Sequence, residues 1–260
     1  MVSQAGGMAL EGLIPICHSF GCFLSTRPNE QIYNNATERT KVLYVGSLAG
    51  LIPAAPGHSH QSLRDISALA SVPSFDIVEP CCPEEVPLLL DHLLSTPGRS
   101  GYLRLISVPW PVPFAYPAKR LEAGQGVMLW KGKDAPAIAF VTYGLVTTAE
   151  AYLAAEDLAE EGIDTMVIEC PFLNRIDGAW FAERLKDVQL LCTIDNHYVN
   201  GGFGDQLLSA LARTGAPLPP RVLRLGIDEV PSSGQPAEVL SHHGLDSASL
   251  KDRIRRELKG

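Results

Sequence analysis

The chain has 260 residues, enough for two domains of ordinary size, each with its own core. With 46% hydrophobic and 19% charged residues it reads as globular, neither disordered nor fibrous. A net charge of -8 argues against a nucleic-acid groove or an anionic membrane surface, because both require a concentrated positive field. No apolar run approaches the roughly 18 residues that span a bilayer. The cysteines Cys17, Cys22, Cys81, Cys82, Cys170 and Cys192 form no CxxC pair and no metal-ligand rhythm. With no signal peptide visible ahead of them, they read as reduced thiols of a cytoplasmic protein, mostly small core residues.

Taken in order, residues 1–12 read as the middle and end of a helix stopped by Gly12. Residues 13–16 read as a short buried strand. The next stretch looks built to hold a ligand: Phe20 and Phe23 lie three residues apart, and a cation, Arg27, follows four residues later. A helix begins over 28–34 with proline in its first turn. Residues 41–46 are strand-like and open into a glycine- and proline-rich loop ending in His58-Ser59-His60-Gln61. Loops at strand ends are where open α/β sheets place ligands. Helical spacing of Leu63, Ile66, Leu69 and Ala70 follows over 62–70. A strand at 76–79 and a helix from Pro83 through Leu94 come next, the acids Glu84 and Glu85 suiting the positive helix start. A strand at 101–106 closes the first domain. The proline density of the following residues forbids regular helix and predicts an extended linker.

The second half repeats a strand-helix rhythm. A strand is predicted at 137–142, a turn at Gly144, and a helix running to Gly162, with Thr147 and Glu150 at capping-box spacing. Further strands are predicted at 164–169, 189–194 and 221–225, and helices at 178–186, 205–213 and 247–258. Strands alternating with helices predict an α/β chain of two domains, each with a mainly parallel, helix-covered sheet. The expected division is 1–108, a linker at 109–133, and 134–260.

Two groups of residues carry a resemblance. Ser19-Phe20-x-x-Phe23-Leu24-x-x-Arg27-Pro28-x-Glu30-Gln31-Ile32, the Val45-Gly46-Ser47-x-Ala49-Gly50-Leu51 turn and Ser59-His60-Gln61 resemble, in order and spacing, the pyrimidine-binding domain of the transketolase family of thiamine-diphosphate enzymes. In the second half, TYG, NHYVNGGFGDQLL and SGQPAEVLSHHGL are similar to the transketolase C-terminal domain. The resemblance implies that Phe20 and Phe23 pack on the aminopyrimidine ring of thiamine diphosphate. It implies that His60 is the active-site histidine that exchanges protons with substrate oxygens, a task suited to imidazole near neutral pH. His58 has no family counterpart and is kept as a substrate-binding candidate. Its His-x-His spacing has no acidic or cysteine partner nearby in sequence, so no metal ligand is expected in this chain. His197 falls in a family segment that mostly packs domains together. The Gly201-Gly202-Phe203-Gly204 run precedes a helix and is by itself a weak phosphate signal.

The family places the diphosphate and its Mg2+ or Ca2+ on another domain with a GDG motif, which this sequence lacks. Cofactor binding is therefore expected to require a partner subunit, in a dimer or heterotetramer. The family's pyrimidine-contacting glutamate would fall just before Met1. Glu11, about ten residues on and so roughly 15 Å away along a helix, is too far to replace it. Sugar-phosphate transketolases carry a histidine and an aspartate where this loop has Leu48 and Pro56, and a phosphate-gripping arginine where it has Ser107. Losing a charged clamp weakens the case for a phosphorylated pentose. Three readings stand: a transketolase-like subunit moving a two-carbon ketol or acyl unit from a ketose or 2-oxo-acid; a 2-oxo-acid dehydrogenase beta-like or deoxyxylulose-phosphate-synthase-like subunit; and a non-catalytic remnant that binds a partner.

Overall fold

A computed structural model describes residues 1–132 and 136–259. The first sheet comprises β1 (Ile16–Phe20), β2 (Leu43–Ser47), β3 (Phe75–Val78) and β4 (Ser100–Leu105), all parallel, in the order β1-β2-β4-β3. Around it lie α1 (Val2–Leu10), α2 (Gly21–Thr26), α3 (Asn29–Thr37), α4 (Asp65–Leu69) and α5 (Glu85–Ser95). The second sheet comprises β5 (Val127–Lys131), β6 (Ile138–Thr142), β7 (Thr165–Glu169), β8 (Leu190–Tyr198) and β9 (Arg221–Ile227), in the order β5-β7-β6-β8-β9. Only β5 runs antiparallel. Its helices are α6 (Leu145–Glu160), α7 (Gly178–Leu185), α8 (Phe203–Arg213), α9 (Pro236–His242) and α10 (Ser247–Lys259). Two mainly parallel, helix-flanked sheets are the α/β architecture that the sequence predicts. Strands β3, β6 and β7 are buried along their whole length, the pattern of parallel strands covered on both faces. Among the described residues no helix is long and apolar enough to cross a membrane.

Several elements differ from expectation. The strand predicted at 13–16 begins at Ile16 instead and is not buried: Leu13, Ile14 and Ile16 are exposed. The reason is position, because β1 is an edge strand with alternate side chains facing out. Val127–Lys131, within the range read as linker, pairs with β7 as β5. The boundary expected at 133/134 lies outside the described residues. Thr147 and Glu150 form no capping box, because α6 starts earlier, after Gly144 at φ 70°. Thr147 Oγ1 donates to Tyr143 O, and the Glu150 carboxylate accepts the Ser247 N–H at 2.8 Å, capping α10 from a distance.

The halves are joined by a buried ionic centre. Arg104, on β4, is fully buried and donates through Nε to Asp65 at 2.9 Å, through Nη1 to Glu79, and through Nη2 to the carbonyls of Ser62 and Asn196. Tyr102 donates to the same Asp65 oxygen at 2.9 Å, and the guanidinium lies 5.6 Å from the Tyr143 ring of the second half. Around this centre, Asn196 Oδ1 accepts the Leu51 N–H at 2.8 Å, and Gly50, at φ 84°, abuts the Asn196 side chain so closely that a Cβ would collide with it. His197 is fully buried, accepts the Ser67 N–H at Nε2 and donates from Nδ1 to Tyr198 O. Burial lowers its pKa to about 4, so it is a neutral packing residue, the structural role that the resemblance implies. Main-chain bonds from Glu79 N to Pro171 O (3.1 Å) and from Leu173 N to Ile77 O (2.8 Å) lay the segment after β7 along β3.

Removing one partner from a buried ion pair leaves its counter-charge stranded. Arg104→Met is therefore expected to lower the unfolding free energy by about 3–5 kcal/mol in urea titrations. A second test concerns Asp76, buried on β3. Burial alone would raise its carboxyl, but hydrogen bonds from His92 (3.0 Å) and Arg99, and the charges of Arg99 and Arg175, outweigh that and hold it down to about 2. Because this pKa is depressed, its stabilisation is complete above about pH 4 and is lost as pH falls towards 2. Asp76→Asn should cost on the order of 2 kcal/mol at neutral pH and flatten the stability profile between pH 4 and 2.

Candidate functional site

The carboxyl edge of the first sheet gathers the aromatic residues. Phe20 ends β1, in register with Ser47 at the end of β2. The first turn of α2 returns Phe23 beside it, ring centroids 5.9 Å apart. The chain leaving β2 loops out and brings the His60 imidazole back, edge-on to Phe23 at 5.1 Å and to Phe20 at 5.9 Å. Arg27, after α2, lays its guanidinium 3.9 Å above the Phe23 ring, a cation–π contact that fixes one face of it. Phe20 is 39% exposed, and Phe23 and His60 are half-buried.

The loop carrying His60 is anchored. Gly50 and Ser62 exchange main-chain bonds at its base (3.2 and 3.0 Å), and the Gly57 carbonyl accepts the His60 and Gln61 amides. Gln61 is buried; its Nε2 donates to Leu51 O at 3.1 Å and, across to the second half, to Ser232 O at 3.0 Å. Ser59 Oγ lies 2.9 Å from His60 Nδ1. With the hydroxyl donating, the ring proton sits on Nε2, which no other hydrogen bond occupies among the described residues.

Phe20, Phe23 and His60 thus converge, whereas His58 is exposed in the loop with no ring contact to them. Leu48, at φ 52° after β2, and the exposed Pro56 and Ser107 bring no charge to the edge. The glycine run is no phosphate cradle. Asp195 accepts the Phe203 (2.6 Å) and Gly204 (2.9 Å) amides at the start of α8, so the groups an anion would use are taken. Glu11 is exposed at the end of α1. The Ser59 and Gln61 contacts escaped sequence reasoning: one is a neighbour bond without a motif, the other spans 171 positions.

Chemically, the cluster is one wall of a site. A flat heteroaromatic ring packs against such rings by offset or edge-on contacts worth about 1 kcal/mol each, and an imidazole at its rim supplies an exchangeable proton. The residues present therefore fit an aminopyrimidine. A cavity of about 800 Å³ lies elsewhere, between β5 and α6, lined by Trp130, Glu156, Asp157 and Glu160 and by none of the cluster residues. Apart from the wall, from α1 to the start of β1, Met8, Leu10, Leu13, Ile14 and Ile16 are exposed apolar side chains. Because Phe20 already meets solvent, Phe20→Ala should change the unfolding free energy by less than about 1 kcal/mol. The same truncation at the fully buried Phe140 should cost about 3–5 kcal/mol.

Comparison with known proteins gives these positions a context. Residues 1–104 match the model of the transketolase pyrimidine binding domain, and residues 127–250 that of the transketolase C-terminal domain. The 1-deoxy-D-xylulose-5-phosphate synthase of Pseudomonas paraeruginosa is 31% identical over 261 residues, covering 99% of this chain and 39% of the synthase. The chain thus spans about two fifths of the length of such curated relatives. Among solved structures, a split-gene transketolase described as an inactive beta4 tetramer superposes with a TM-score of 0.85 at 26% identity, covering 98% of this chain and 80% of that one. The transketolase of Campylobacter jejuni gives a TM-score of 0.73 at 15% identity, over 98% of this chain and 38% of its own, and shows the shared fold. The chain belongs to the transketolase family, of which it carries the pyrimidine-binding and C-terminal domains.

Proposed function

We propose that this chain is one subunit of a thiamine-diphosphate-dependent enzyme that transfers a two-carbon ketol or acyl unit, acting with a partner subunit that holds the diphosphate and its divalent cation. The observation that carries this reading is the convergence of Phe20, Phe23 and His60 into one accessible wall at the carboxyl edge of a parallel sheet. When bound, thiamine diphosphate supplies the carbon nucleophile and electron sink for donor cleavage. Phe20 and Phe23 hold its pyrimidine face, Arg27 stiffens Phe23, and His60 exchanges the Nε2 proton with a substrate oxygen. Gln61, tied to both halves, keeps that nitrogen in place. His58, exposed on the same loop, stands where an entering substrate would meet it.

Partner dependence is supported by the exposed apolar side chains Met8, Leu10, Leu13, Ile14 and Ile16. Large apolar side chains left in solvent and clustered in sequence suit an interface better than a bare face of a monomer. The split-gene neighbour, an inactive tetramer of its beta chain, agrees with a chain that does no chemistry alone. A deoxyxylulose-phosphate-synthase-like reaction, joining a 2-oxo-acid-derived acyl unit to an aldehyde, is the second reading. It is favoured by the 31% identity to that synthase. The uncharged Leu48, Pro56 and Ser107 weigh against a pentose phosphate gripped by this chain.

The test is assembly with a GDG-containing subunit, thiamine diphosphate titration, and donor assays with hydroxypyruvate and with pyruvate. Turnover is expected only in the assembled complex. His60→Ala should lower kcat by about 10²–10⁴-fold, and Phe20→Ala should weaken cofactor binding by about 5–10-fold, the equivalent of one aromatic contact. A well-folded complex with no cofactor-dependent turnover would leave only the non-catalytic, partner-binding reading.

A further inference from the structure

A second group of reactive side chains lies apart from the aromatic wall, where the start of α5, the end of β7 and the segment before β5 meet. Cys81, Glu85 and Glu169 are all buried there, and one donor atom from each lies within 4.8 Å of the others. Glu169 is fully buried, and among the described residues no N–H or hydroxyl reaches either of its carboxylate oxygens, whose neighbour is the Glu85 carboxyl. Glu85, facing it, is held by the Cys81 N–H on Oε2 at 2.7 Å and by the Tyr116 hydroxyl on Oε1. The fully buried guanidinium of the molecule, Arg104, is already committed to Asp65 and Glu79. Leaving two carboxyls and a thiol together in a dry interior is costly unless protons or a cation neutralise them.

We propose that Cys81, Glu85 and Glu169 form a structural site for a borderline divalent cation of the Zn2+ type. Sulfur beside two carboxylates is a donor set for Zn2+ rather than for Mg2+ or Ca2+, which take oxygen alone. Bond lengths of about 2.0–2.3 Å around one ion require each side chain to move inward by less than ~1 Å. Tyr116 and the Cys81 amide orient Glu85 from behind, as outer partners of metal ligands do. Burial, and next the Glu85 charge, push the Glu169 carboxyl well up, and burial raises the Cys81 thiol. A bound dication reverses both, releasing their protons. The half-buried Tyr116 covers the group from the inter-sheet segment.

The test uses the full 260-residue chain, stripped with a chelator and titrated with Zn2+ alone and with Co2+ alone. One equivalent of Co2+ should produce a thiolate-to-cobalt charge-transfer band, one equivalent of Zn2+ should abolish it, and Zn2+ should raise the melting temperature. Cys81→Ser should lose the band while keeping its circular dichroism. Glu169→Gln should lose at least the 10–100-fold in affinity that even an outer-shell partner contributes. The surface group Glu229, His242 and His243 contains no sulfur and cannot give this band. A stripped wild-type chain with no cobalt band, a band that survives Cys81→Ser, or a metal-indifferent Glu169→Gln chain more stable than wild type would overturn the proposal. The last result would assign the pair to a shared proton.

Discussion

One guanidinium holds the two halves of this protein in register. Arg104 leaves the centre of the first sheet, satisfies Asp65 and Glu79 within its own half, and reaches the Asn196 carbonyl and the Tyr143 ring of the other. Its worth lies less in net stabilisation than in specificity, because a buried ion pair about breaks even against an apolar replacement but penalises every misaligned arrangement. A shift of one half relative to the other would cost the guanidinium the Asn196 carbonyl and the Tyr143 ring, while Asp65 and Glu79 would move with it. The aromatic wall inherits that precision, since α4 with Asp65 follows directly on the loop that carries His60.

The two carboxylate groups near the junction differ in kind. Asp65 and Glu79 share one cation: burial raises both carboxyls, Arg104 outweighs it at Asp65, and Glu79 stays up at about 7. Glu85 and Glu169 face each other. Where like charges are buried in pairs, something that the protein chain does not supply has to complete the balance. That contrast within one interior turns an acidic cluster into a question about a bound species.

Much of this was legible in the sequence, for definite reasons. Continuous apolar runs such as Ile138–Thr142 and Thr165–Glu169 admit few readings besides buried parallel strands. Phe23 and Arg27 stand one helical turn apart, so local geometry brings that ring and the guanidinium together, while Phe20, at the end of β1, meets Phe23 across the strand-to-helix turn. What escaped was non-local. The edge position of β1 cannot be read from its own residues, whose apolar run suggests a buried strand. Glu150 looks like a cap for its own helix and instead caps α10. Arg104 sits in an ordinary-looking strand, and nothing near it in sequence announces Asn196. The antiparallel β5 follows a proline-rich stretch whose composition masks it.

The Gln61 bond to Ser232 has an implication for protein engineering. Its acceptor is a main-chain carbonyl, so this bond depends on the path of the polypeptide at 232 and not on the side chain there, which meets His243 instead. A chimaera spliced between the two sheets could keep every side chain of the histidine loop and still lose this bond. A graft that rerouted this turn by a couple of ångströms would unmoor the histidine loop from the far side of the molecule. What inheritance must preserve for this bond is a route and not a residue.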